Sequence, residues 1–131
     1  MVKITFYGGI NEIGGNKILL EDHKTRIFLD FGQSFAFGLD FFTSWLQPRG
    51  INGIGDYFEF NLLPRINGLY SKEMLASTNL PYTKPKIDCV FLSHAHFDHI
   101  THIEFLDPEI PVCMGVGTKL FMESMEETGN F

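Results

Sequence analysis

Residues 87–93 read Ile-Asp-Cys-Val-Phe-Leu-Ser, a short apolar run behind Pro85, and they lead directly into His94-Ala95-His96-Phe97-Asp98-His99. A run of this length, bounded by proline and rich in β-branched and aromatic residues, predicts a buried strand. Three imidazoles and a carboxylate at its end constrain the fold more than any other feature, because the chain must gather these donors at one edge of a sheet. In extended or turning backbone, side chains two apart project to the same side, so His94 and His96 can reach one metal ion together. Asp98 and His99 lie beyond the bend and can address a second ion, paired hydrolytic ions being typically about 3.5–4 Å apart. Nitrogen mixed with carboxylate oxygen suits zinc first and manganese or iron second.

A surface accident explains the cluster poorly. Crowding three histidines carries a like-charge cost when they protonate, and a bound metal removes that cost. His102, one helical turn further on, is read either as facing the site or, preferably, as an exposed helix residue, and is left outside the ligand set. His23 sits in a turn and is expected at the surface.

Upstream of the cluster the chain reads as β-structure. Val2, Ile4 and Phe6 alternate with Lys3 and Thr5, the period-two pattern of a half-buried strand over 2–6. A glycine-rich stretch, Gly8-Gly9-Ile10-Asn11-Glu12-Ile13-Gly14-Gly15, follows. It lacks the Lys-Ser/Thr ending of a phosphate-binding loop and precedes a strand, so it is read as a turn. Strands are expected at 16–21 and 26–31, the latter ending in Leu29-Asp30-Phe31-Gly32, which places an acid where a buried strand gives way to a loop.

Residues 33–86 form a long aromatic-rich insertion with expected helices at 39–46 and 56–63. A structureless connection of this length is improbable inside a compact domain, so packing against the core is expected. Its aromatics are read first as core filling and second as a cleft wall on which planar groups stack. Beyond the cluster, the pattern predicts a helix over 100–106, a strand over 110–114 and a helix over 119–128. Strands alternating with helices give an α/β class.

Composition sets outer limits. With 131 residues, 44% of them hydrophobic, the chain can bury a core without disulfides; Cys89 and Cys113 sit in apolar stretches as free thiols. Ten Lys and Arg against sixteen Asp and Glu leave a net charge of -6, with the basic residues scattered. No stripe exists to neutralise phosphates, which argues against nonspecific grip on nucleic acid. The N-terminal MVKITFYGG lacks a signal-like apolar segment, and no run reaches the ~18 apolar residues of a membrane span. A cytoplasmic location with no membrane contact is the default expectation.

A strand followed by HxHxDH and a helix, after a β-rich N-terminus with an acid ending a strand, resembles the metallo-β-lactamase superfamily. The resemblance implies the N-terminal half of an αβ/βα sandwich, a mixed sheet flanked by helices, with 1–131 as a single and incomplete domain. It implies two zinc ions in the complete site, manganese being an alternative: His94 and His96 on the first, Asp98 and His99 on the second, and Asp30 orienting from behind. The Gly8–Asn16 pattern, Leu29-Asp30-Phe31-Gly32 and Ser93–His99 together look most like the RNA-processing branch, ribonuclease J and its β-CASP relatives.

Family members draw further ligands from later motifs, and no histidine follows His102 here. The expected function is metal-dependent hydrolysis of an RNA phosphodiester, with Asp98 as the catalytic residue and the remaining ligands outside this chain. Thioester or ester hydrolysis on the same metals and a noncatalytic metal-binding module stay open. The exposed sheet face of a half sandwich predicts self-association, such as a homodimer.

Overall fold

In the computed structural model, residues 1–36, 42 and 46–129 are described. The architecture is α/β. Five strands, β1 (Val2–Gly8), β2 (Lys17–Asp22), β3 (Thr25–Leu29), β4 (Cys89–Leu92) and β5 (Val112–Met114), form one sheet in sequence order. The first three run antiparallel, while β4 and β5 lie parallel to β3 and to each other, so the sheet is mixed as expected. The helices are α1 (Gly55–Glu59), α2 (Lys72–Leu75), α3 (Phe97–Ile100) and α4 (Val116–Glu127), with 3-10 turns at Gly50–Asn52 and Thr101–Phe105.

The register sorts side chains by face. Leu19, Phe28 and Val90 lie side by side on one face, joined by Leu92, and all four are buried. The alternate positions form the other face. There Ile4, Phe6 and Phe91 are 56%, 52% and 46% exposed. In β4, the strand expected to be buried, Cys89, Val90 and Leu92 are buried and Phe91 is exposed.

The long crossover from β3 to β4 supplies the covering layer. Ile54, Phe58, Leu63, Leu69, Tyr70 and Leu75 join the core against the sheet. Burying each large apolar side chain contributes about 1.5–3 kcal/mol. The Tyr70 hydroxyl donates to the Pro64 carbonyl at 2.7 Å, which satisfies the one polar atom that this aromatic takes into the core. Backbone bonds from Ser71 to Phe105 and from Asp107 to Leu69 fasten the layer to the segment after the histidine cluster. Core filling is thus the role of Phe58 and Tyr70, whereas Phe35, Phe60 and Tyr82 stay exposed.

Two helix expectations need correction. The helix expected over 56–63 is one short turn, Gly55–Glu59, because Asn61 adopts a left-handed φ of 56° and Pro64 follows. The helix expected from residue 100 starts at Phe97, inside the cluster, and tightens to 3-10 geometry at Thr101. The expected helix at 39–46 falls largely outside the described residues.

Candidate active site

The site forms where β3 and β4 end side by side. Asp30 follows β3 with a left-handed φ of 57°, a conformation that Asp tolerates better than most residues. Its amide still donates to the Phe91 carbonyl at 2.8 Å, which prolongs the parallel ladder by one rung. The turn aims its carboxylate across the mouth of β4. One oxygen accepts from the Ser93 amide at 2.7 Å; the other accepts from the Ser93 hydroxyl at 2.8 Å and from His99 Nδ1 at 2.7 Å. On the other side of the ring, His99 Nε2 lies 3.2 Å from Asp98 Oδ2.

His94 and His96 meet at the other side. His94 Nε2 lies 3.0 Å from His96 Nδ1, and the Ser93 hydroxyl lies 2.9 Å from His94 Nδ1. The rings of His94 and His99 approach to 4.0 Å between centroids, so all three imidazoles share one small volume.

The glycine-rich turn is the wall behind Asp98. The Gly15 amide donates to the Asp98 carbonyl at 3.0 Å, and the Phe31 amide donates to the His99 carbonyl at 2.8 Å. A Cβ on Gly14, whose φ is +76°, would stand 2.4 Å from Asp98 Cβ. On Gly32 it would stand 1.9 Å from the Asp98 carbonyl oxygen. Both positions need glycine for close approach, a physical reason for the glycines that the sequence reading treated only as turn residues.

Comparison with known proteins bears on this geometry. The chain is 31% identical to ribonuclease J of Helicobacter pylori, in strains 26695, B128 and J99, over 109 residues that make up 83% of this chain. It spans 12% of the length of those curated relatives. A crystal structure of a protein of unknown function from Enterococcus faecalis V583 superposes with a TM-score of 0.76 at 32% identity, covering 99% of this chain and 29% of that one. No family model matches. Over these residues the chain is similar to ribonuclease J.

The donor set fits metal coordination in pairs. Two ligands on a tetrahedral zinc, each about 2.0–2.1 Å from the ion, stand about 3.3 Å from each other. The 3.0 Å between His94 and His96 and the 3.2 Å between Asp98 and His99 each match such an edge. Among the described residues, no three His, Cys, Asp or Glu side chains converge on one point.

His102 departs from expectation. It is 1% exposed, packed against Tyr57 and Phe105, and burial holds its pKa well below the usual histidine range, with the nearby Lys17 charge adding to the effect. The segment after Ile100 turns inward because the His102 amide bonds to the Phe31 carbonyl at 3.0 Å, and helical spacing alone did not reveal this. Sequence reading also passed over Lys17 and Ser93. Lys17 is 3% exposed, donates to the Gly32 carbonyl, and has its pKa lowered to about 8 by burial, partly offset by Glu12. With Glu12, Ser34 and His102 it lines a cavity of about 80 Å³ under the glycine turn. The only available signal for Ser93 was its place between β4 and the first histidine.

Proposed function

We propose that this chain is the ligand-bearing N-terminal half of a metallo-β-lactamase-fold hydrolase that cleaves RNA phosphodiester bonds. The reading rests on one observation: two donor pairs, His94 with His96 and Asp98 with His99, lie at ligand-edge spacing at the end of β4, with Asp30 behind His99. The ribonuclease J-like relationship supports RNA as the substrate. In this reading 1–131 belongs to one domain, and 33–86 is a packed insertion within it.

His94 and His96 would hold one zinc ion and Asp98 and His99 a second, with manganese as an alternative and the other ligands supplied from outside this chain. Bound ions of this type make hydroxide available near neutral pH and polarise the scissile phosphate. The residues here contribute the rest. Asp30 keeps Nδ1 of His99 protonated, so that Nε2 presents its lone pair. The Ser93 hydroxyl fixes the Asp30 carboxylate and borders His94. The Asp98 carboxylate orients the attacking water and accepts its proton, and Gly14 and Gly32 hold its backbone in place.

Among the described residues, no helix is long and apolar enough to cross a membrane. A cytoplasmic enzyme is the setting we assign. The open apolar face of the sheet is where the second half of a sandwich, or a second copy of the chain, would pack. A noncatalytic metal-binding module is the second reading, favoured by the lack of a converging donor triad among the described residues. The deciding experiment is hydrolysis of a labelled oligoribonucleotide by the longest natural form of the protein. Asp98→Ala should lower kcat by about a hundredfold or more while RNA affinity changes little. Equal turnover by the variant and the natural form would overturn the assignment.

A further inference from the structure

Beside the donor cluster lies a hollow of about 310 Å³, bordered by His96 and Asp98 and walled by Phe35, Phe97, Phe121 and Met125. Phe35, Phe97 and Phe121 are 61%, 54% and 56% exposed. Three rings from separate segments therefore face one space: Phe35 from the loop after β3, Phe97 from the first turn of α3, and Phe121 from α4. The volume is at the lower end of the ~300–1,000 Å³ usual for small-molecule sites.

We infer that this hollow is a subsite for one unpaired nucleobase of the RNA strand, next to the phosphate presented to His96 and Asp98. The inference rests on the RNA hydrolase reading and extends it to how the strand is held. Adjacency supports this occupant, because His96 and Asp98 border the hollow and a strand whose phosphate meets Asp98 carries a base one sugar away. With a net charge of -6 and no basic stripe the chain offers little grip on the phosphate backbone, so a strand seated here is held through the π-face of its base. A wall of phenyl rings and a thioether offers stacking without a hydrogen-bond code, so the subsite takes any base, purines best, and refuses a base held in a duplex.

The test is fluorescence anisotropy of the full chain, in chelator to prevent hydrolysis, titrated against labelled hexaadenylate, the same hexamer with one central abasic site, and a hexamer duplex. Hexaadenylate should bind at least fivefold more tightly than the abasic strand or the duplex, in line with stacking contributions measured elsewhere. Phe35→Leu and Phe121→Leu, which keep apolar bulk and remove a ring, should each weaken hexaadenylate about fivefold and leave the abasic strand unchanged. Phe91→Leu on the open sheet face should alter neither. Equal affinity for abasic and intact strands, no measurable binding of any strand, or unchanged affinity in both ring variants overturns the subsite. Self-association abolished by Phe121→Leu with RNA affinity unchanged also overturns it, assigning the hollow to a second copy. Zinc content of the same preparation, measured before the chelator is added, reads the metal assignment separately, so the two failures are distinguishable.

Discussion

Asp30 Oδ2 and His99 Nδ1 lie 2.7 Å apart across 69 positions of sequence, with both side chains largely shielded from solvent. That contact joins the end of β3 to the far end of the histidine cluster. Because the same carboxylate also takes the Ser93 amide and hydroxyl, one acid sets the entry and the exit of the segment that carries all four donors.

Replacing Asp30 by Ala should therefore leave Ser93 and His99 without their acceptor and lower zinc affinity about 10- to 100-fold. Asp30→Asn keeps the volume and should be intermediate. Competition with a chromophoric chelator measures this, and a wild-type zinc affinity in Asp30→Ala would remove Asp30 from the site.

Gly32→Ala and Gly14→Ala should both be damaging, because each added methyl meets Asp98 well inside van der Waals contact. Overpacking of this kind typically costs about 1–3 kcal/mol. Gly117→Ala meets nothing within 4 Å and should be neutral or mildly stabilising as a helix substitution. Urea denaturation of the three variants checks the order.

Lys17 gives a pH prediction with a definite sign. Its pKa falls to about 8 in the folded chain from an ordinary 10.5, so between these values the unfolded state holds a proton that the native state has released. Stability should then rise with pH through that window, by up to about 3 kcal/mol. In Lys17→Met this contribution vanishes, and the difference between wild type and variant, measured at pH 7 and pH 10, isolates it from other titrating groups. A difference that does not change with pH would contradict a buried ammonium.

The open face makes a prediction about assembly. Ile4, Phe6, Leu29 and Phe91 form an exposed apolar strip, and strips of this kind drive association when uncovered. The chain should self-associate with rising concentration in sedimentation velocity, and Phe6→Glu with Phe91→Glu should shift it toward monomer. A wild-type monomer at all concentrations would contradict this.

Much of this arrangement was legible in the sequence because it follows short-range rules. Val2, Ile4 and Phe6 announced β1 by alternation, and the apolar run up to Ser93 announced β4, with the histidines at its end. What stayed hidden depends on contacts between distant segments. His102 looked like a surface residue because nothing local records the Phe31 carbonyl that pulls its segment inward. Lys17 fitted the half-buried pattern of a strand, yet it points beneath the Gly32 carbonyl. The apolar run ending at Leu92 could not tell a strand buried throughout from one that leaves Phe91 exposed. Helix α2 was too short for periodicity to register, although Ser71 caps it by accepting from the Met74 amide at 3.3 Å.

The central claim is that His94, His96, Asp98 and His99 take up metal. Elemental analysis of protein exchanged into zinc and freed of loose ions tests it most directly. The account predicts tightly held zinc, reduced in His96→Ala and in Asp98→Ala and abolished when both are changed. Protein that retains no transition metal, or retains it equally in the double variant, would contradict it.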